Sequence, residues 1–266
     1  MDLELVKTFQ GASEHTKRKE QEIGGLTKMR FNQFKSPYFR YNNIYIADVF
    51  SGTGRNVIND ELIDGSPIKL IEGVMGANNR NVDINFFFSD VRRDACEQLH
   101  RYIAERFKIS IATNAMFASD AINMLGAILK SRPDIFLYLV LDPNGPKDFP
   151  KNEVHDLLCE FSKRIDVIPN ISATTINRCL GARNKAGRQM QGWLANIDNF
   201  DEGFVSSLTM HGRSGWIRRP IKGDRFRWVM VPTFGCFKPK NNWEKHDYID
   251  LKSEEGKNTV KFYCGA

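Results

Sequence analysis

The stretch Asp48-Val49-Phe50-Ser51-Gly52-Thr53-Gly54 is the part of the chain whose residue types and spacing best suit chemistry. It follows a β-branched and aromatic run, Ile44 to Ala47, that reads as a strand broken sharply by the glycines. Glycines at such a turn can take positive φ and let the main chain approach a ligand with no Cβ in the way. A nucleotide-like cofactor could lie there. Ordinary α/β turns use the same residues, so the surrounding groups must decide.

Two carboxylates could hold a ribose diol: Glu72, 18 positions after Gly54, and Asp90, 36 positions after it. The usual interval of about 20 residues favours Glu72. Context favours Asp90, which ends the aromatic run Phe86-Phe87-Phe88, whereas Glu72 lies in a helix launched by Ser66-Pro67. A third polar group, Asp142-Pro143-Asn144-Gly145, follows the most apolar run in the chain. Its carboxylate and amide can accept hydrogen bonds from an amino group and aim the nitrogen lone pair at an electrophile. The same four residues also suit a plain type I turn.

Other reactive types are less organised. The five cysteines stand far apart with no C-x-x-C pair, which argues against a disulfide framework and a zinc module, and the five histidines show no metal-ligand spacing. No metal site is assigned. A basic stretch contains Arg213, Arg218, Arg219, Lys222, Arg225 and Arg227 against the single acid Asp224, with Trp216 and Phe226 interleaved. Arg178, Arg183, Lys185 and Arg188 precede it. Phosphate contacts and base stacking use these residue types, and a solvated charged hairpin is the plain alternative.

The elements that must position these groups alternate. Strands are read at Ile44–Ala47, Phe86–Phe88, Ile109–Ala112, Phe136–Leu141 and Asp166–Ile168. Helices are read after Ser66, through Cys96, Leu99, Ile103 and Phe107, after a Ser119 cap, and through Val154, Leu157, Leu158 and Phe161. This order implies a parallel sheet covered on both faces, with ligands gathering at the carboxyl ends of its strands, where Asp48, Asp90, Asn114 and Asp142 fall. Residues 1–42 read as an N-terminal extension with an aromatic cluster, and 43–266 as one domain with a basic insertion around 181–227.

At 266 residues, 41% hydrophobic and with net charge +6, the composition is globular rather than disordered. The longest strongly apolar run is seven residues, against the roughly 20 that a spanning helix needs. The charge-mixed first 25 residues lack a signal-peptide stretch, so a cytoplasmic protein without membrane partners is expected.

Taken in order, Tyr45 to Gly54, Gly65-Ser66-Pro67, Leu141 to Gly145, and Asp166-Val167-Ile168 followed by Ile176-Asn177-Arg178 resemble the class I S-adenosylmethionine-dependent methyltransferases. The match is closer still to the three-Cys-motif partner (TcmP) group within them. The resemblance implies a Rossmann-like α/β fold: a mostly parallel seven-stranded sheet with an antiparallel C-terminal hairpin, for which Trp216–Ile221 and Phe226–Val231 are candidates. It implies S-adenosylmethionine on Asp48, Phe50, Ser51, Gly52 and Gly54, with Asp90 on the ribose and Asn114 near the adenine. It places Asp142, Pro143, Asn144 and Gly145 at the catalytic turn, facing a nucleic-acid amino nitrogen. Asn144 and Gly145 stand where the amino-methyltransferase D-P-P-Y pattern has Pro and an aromatic residue, so the stacking partner for a flipped base has to come from Trp216, Phe226 or Phe234. Two other functions stay open: a non-catalytic nucleic-acid-binding or partner protein that keeps the fold, and a methyltransferase acting on a protein or small molecule.

Overall fold

The computed structural model describes residues 14–77, 82–109, 111–143, 148–172, 208–209, 212–220, 228–235 and 243–264. The chain divides into two compact units, residues 1–136 and 137–266.

In the first unit the described elements are α1 (Glu14–Gln33), β1 (Asn43–Asp48), β2 (Arg55–Ile58), β3 (Glu61–Asp64), α2 (Ser66–Met75), β4 (Asp83–Asp90), α3 (Arg93–Phe107), β5 (Ala112–Ala115) and α4 (Ala118–Ser131). β4 pairs in parallel with β1 on one side, Asp48 opposite Phe88, and with β5 on the other, Asp90 opposite Ala115. The buried faces of α3 and α4 carry Cys96, Leu99 and Ile103, and Ile122, Leu125 and Leu129, spaced three or four residues apart as an amphipathic helix requires. α1 and α2 approach closely: a Cβ on Gly73 would come within 2.7 Å of the Gly24 carbonyl oxygen and 2.9 Å of Thr27 Cβ.

Phe31 and Phe34, at and just past the end of α1, are buried. Phe34, Phe39 and Tyr41 surround the Phe136 ring with centroids 5.3 Å away, so these members of the N-terminal aromatic cluster pack on the core, while Tyr38 is exposed.

The division falls inside β6 (Ile135–Leu141), which is buried at all its positions, as a strand covered on both faces must be. The second unit continues with α5 (Lys151–Phe161), β7 (Ile165–Ser172), β8 (Ser214–Arg218), β9 (Trp228–Met230), β10 (Thr233–Phe234), β11 (Tyr248–Asp250) and α6 (Glu254–Cys264). β6 and β7 are parallel, with Leu141 opposite Pro169. β10 runs antiparallel between β7 and β8, β11 is antiparallel to β8, and β9 is antiparallel to the end of β7. The fold is therefore α/β, mostly parallel, with antiparallel strands toward its C-terminal end.

Four expectations shift. The glycine turn feeds a hairpin, β2–β3, before any helix, and the backbone N–H of Gly65 donates to Gly54 O at 2.8 Å to close the hairpin's base. Asn59 and Asp60, with φ of 49° and 66°, form its two-residue turn, a geometry that suits the twist of paired strands. The third parallel strand lies at 112–115 rather than 109–112, because pairing with β4 sets its frame and Ile111 is left as a buried anchor before it. Neither Ser66 nor Ser119 caps a helix: Gly65 and Phe117 occupy the N-cap positions without a side-chain cap. The expected C-terminal pair, 216–221 with 226–231, is not formed: β8 (214–218) pairs with β10 (233–234), while 228–230 pairs with the end of β7.

Candidate functional site

The glycine turn is built from the strand ends of the first unit. Gly52 and Gly54 have φ of 54° and 73°, which L side chains adopt only with strain. A Cβ on Gly54 would meet Leu99 Cδ1 at 2.4 Å, so this glycine lets α3 pack directly on the turn. Asp48 is fully buried: Oδ1 accepts the Phe50 N–H at 2.9 Å and Oδ2 accepts the Ser66 hydroxyl at 2.6 Å. The charge removed from water is met by protein donors, and the carboxylate braces the turn against the start of α2. Ser51 locks the other side, donating from both its backbone N–H and its hydroxyl to Ser89 O at 2.9 Å.

Asp90, half-buried at the end of β4, points its carboxylate into this turn. Oδ2 accepts the Gly52 N–H at 3.1 Å, while Oδ1 accepts Arg92 N–H at 2.9 Å and Arg92 Nε–H at 3.2 Å. Glu72 sits on α2 and pairs with Lys69 at 2.7 Å and with Arg106, both of which also pair with Asp64 at the end of β3. Of the two carboxylates weighed for the ribose, only Asp90 therefore touches the glycine turn.

Asn114 is opposite Ser89 in the β4–β5 ladder. The Cys96 thiol lies between these strand ends, 3.3 Å from Asn114 O and 3.6 Å from Asp90 O. Burial pushes that thiol's pKa up, so Cys96 is a neutral brace rather than a nucleophile.

Two residues escaped the sequence reading. Val91 directly follows the end of β4 and Phe117 stands two residues past the end of β5, and they are 58% and 65% exposed. Large apolar side chains left in solvent beside a polar turn suit the faces of a flat ring. The available signal was their position, one residue after Asp90 and three after Asn114.

In the second unit, Asp142 and Pro143 follow β6 and are half-buried; Asn144 and Gly145 lie outside the described residues. Asp142 Oδ1 accepts the Asn170 side-chain N–H at 2.6 Å.

The basic stretch is corrected in part. Arg213 is 1% exposed, and its guanidinium donates to Leu208 O, Ser162 O, Ile165 O, Thr233 O and Thr233 Oγ1. Every contact is internal, which removes Arg213 from any phosphate-binding role. Trp216 is buried against Trp243, centroids 6.0 Å apart, and Phe234 packs on the same ring at 4.8 Å, so neither offers a free stacking face. Arg219 pairs with Glu255 at 2.9 Å, and Arg218 is half-buried at the end of β8. Lys222, Arg225, Arg227 and Phe226 lie outside the described residues, as do Arg178, Arg183, Lys185 and Arg188. Among the described residues, no three His, Cys, Asp or Glu side chains converge as a metal site, and no helix is long and apolar enough to cross a membrane.

No protein-family model matches the chain, and no curated protein matches it. Among solved structures it is similar to protein LPL1258 of Legionella pneumophila, of family DUF519, at TM-score 0.51 and 9% identity, covering 92% of both chains. An rRNA methylase from Streptococcus thermophilus aligns at TM-score 0.42 and 7% identity, over 79% of this chain and 93% of that one. A magnesium protoporphyrin IX methyltransferase from Synechocystis, solved with bound S-adenosylmethionine, aligns at TM-score 0.40 and 10% identity, over 80% and 77%. The first is a likeness of fold; the other two, below 0.5, add nothing to it.

Proposed function

We propose that the chain is an S-adenosylmethionine-dependent methyltransferase, close to the TcmP group, that methylates an amino nitrogen of a nucleic-acid base. The observation that carries this reading is the Asp90 carboxylate on the Gly52 N–H of a positive-φ glycine turn, with Val91 and Phe117 exposed beside it.

The residues fit the cofactor. Asp90 would accept from the ribose hydroxyls, Val91 and Phe117 would flank the adenine near Asn114, Gly52 would admit the rest without a Cβ in the way, and Gly54, whose Cβ direction faces Leu99, would hold the turn's shape. Phe50 and Ser51 complete the turn. When bound, the cofactor supplies an electrophilic methyl group. Asp48 holds the turn through Phe50 and Ser66. Asp142 is assigned, with Pro143, Asn144 and Gly145, to accept from the substrate N–H and keep the nitrogen lone pair oriented. The net charge of +6, with Arg218, Arg219, Lys222, Arg225 and Arg227, supports a polyanionic partner.

Calorimetric titration with S-adenosylhomocysteine tests the reading. Micromolar binding is expected in the wild type and at least tenfold weaker binding in Asp90→Ala and Phe117→Ala; no binding to the wild type refutes it. The departure of Asn144-Gly145 from Pro-aromatic favours one second reading, a non-catalytic nucleic-acid-binding or partner protein that keeps the fold and the cofactor. Cofactor binding without methyl transfer to DNA or RNA would select it. Transfer abolished by Asp142→Ala, with S-adenosylhomocysteine affinity intact, would select the enzyme.

A further inference from the structure

Asn170 has no role in the sequence pattern, yet the second unit places it beside Asp142. Leu141 is opposite Pro169 in the β6–β7 ladder, so Asp142 and Asn170 stand level just beyond that pair. On its other side Asn170 is opposite Met230 of β9, which fixes its place in the backbone ladder. Its side-chain N–H donates to Asp142 Oδ1 at 2.6 Å. Its Oδ1 is buried and has no hydrogen-bond partner among the described residues, and the residue is only 7% exposed.

The orientation of this amide follows from chemistry. A carboxylate only accepts, so the amide must turn its NH2 toward Asp142 and its carbonyl away. A buried carbonyl oxygen without a donor is costly, and in a native protein it calls for an explanation. The partner it lacks is a donor.

We propose that Asp142 and Asn170 form a subsite for the exocyclic amino group of a nucleobase, with Asn170 as its specificity-determining residue. This deepens the methyltransferase reading and rests on it. A primary amino group carries two N–H donors; one meets the carboxylate and the other the Asn170 carbonyl. A hydroxyl has a single donor and leaves one acceptor unmet, and a base carbonyl has none and faces two acceptors. The pair thus selects adenine, cytosine or guanine amino groups over the carbonyl edges of thymine and hypoxanthine. A cationic lysine side chain is the other amine source, and the chain's net charge of +6 disfavours it relative to an anionic strand.

Asn170 also acts as a positioning residue, since its N–H fixes one carboxylate oxygen of Asp142. Asn170→Leu keeps much of the volume while removing donor and acceptor, and Asn170→Ser restores a small group able to do both.

The test uses the full chain, with fluorescent single strands of oligo(dA) and oligo(dC) against oligo(dT) and oligo(deoxyinosine), and S-adenosylhomocysteine titrated in parallel. The wild type should prefer the amino-bearing strands by about tenfold or more. Asn170→Leu should bring the ratio near one with S-adenosylhomocysteine affinity unchanged, and Asn170→Ser should recover part of the preference. A merely structural role would lower the melting temperature and leave the ratio alone. Should Asn170→Leu fail to fold, Asn170→Ser decides: a ratio equal to wild type overturns the proposal.

Absence of preference or of strand binding in the wild type overturns it as well. So does an oligolysine peptide bound in preference to every strand and released by the Asn170 substitutions, which would move the subsite to a protein amine. Loss of S-adenosylhomocysteine binding in the wild type would instead remove the methyl-transfer reading itself, and with it the basis of this one.

Discussion

Replacing Gly54 by Ala should be among the most damaging single-methyl changes in the first unit, and its cost separates into two parts that can be measured. The backbone holds φ at +73°, where an L side chain costs about 1–2 kcal/mol. The added Cβ would also lie 2.4 Å from Leu99 Cδ1, a fully buried side chain of α3, and overpacking of this kind costs about 1–3 kcal/mol. Together they amount to about 2–5 kcal/mol. Leu99→Val removes the clashing δ-methyl at a cost of about 0.5–1.5 kcal/mol, on the scale of other one-methylene deletions. The double variant keeps the backbone strain and loses the clash, so it should be more stable than the sum of the singles by about 1–3 kcal/mol. Urea unfolding of the four proteins, with midpoints and slopes fitted together, closes the cycle. Additivity within about 0.5 kcal/mol would mean that Leu99 swings clear without cost and that Gly54 is required for its φ alone.

Two further outcomes follow from the same geometry. Arg213→Ala should destabilise the protein by about 3–5 kcal/mol, since it strands several buried carbonyls, and Arg213→Lys should rescue little because an ammonium cannot span five acceptors; a thermal melt within a degree of wild type for either variant would refute this. At Asp64, burial works to raise the pKa, but hydrogen bonds from Tyr102 and Arg106 and the charges of Arg106 and Lys69 outweigh it and hold the carboxyl below its ordinary range. The resulting stability is present above the unfolded value of about 3.9 and is lost as pH falls through the lower folded value. The melting-temperature gap between wild type and Asp64→Asn should therefore narrow as the pH is lowered below about 4, and a constant gap would contradict it.

The alternation of strands and helices was legible because β6 is a seven-residue apolar run and α3, α4 and α5 carry clean helical spacing. The β2–β3 hairpin was missed although Asn59-Asp60 lies between Val57-Ile58 and Leu62-Ile63, because a glycine turn leading into a helix was the simpler reading. β5 was misplaced because edge strands are framed by ladder pairing, and Ala112-Thr113-Asn114-Ala115 is less apolar than the segment before it. Arg213 and Trp216 read as surface groups from their type. Their burial depends on Ser162, Ile165 and Thr233 for one and on Trp243 for the other, and a local window contains none of these.

The aspartates of the parallel strands show why spacing alone leaves the site undecided. Asp48 and Asp166 are fully buried, and a carboxylate there must have its charge met by protein donors. Ser66 and Phe50 serve Asp48, and the Gly235 N–H serves Asp166 at 3.0 Å. These two brace a turn or a crossing of chain. Asp90 and Asp142 are half-buried, each held by protein donors while still reachable from solvent, Asp90 by Gly52 and Arg92 and Asp142 by Asn170. A carboxylate can accept about four hydrogen bonds, so a group held in this way keeps capacity for a ligand without losing its orientation. Three of the four stand at or just past a strand end, all four have protein donors, and what separates the two pairs is burial. Ser66 lies 18 residues from Asp48, Asn170 lies 28 from Asp142, and Gly52 lies 38 from Asp90. Chemistry at these strand ends is decided by burial, and by partners that only folding brings within reach.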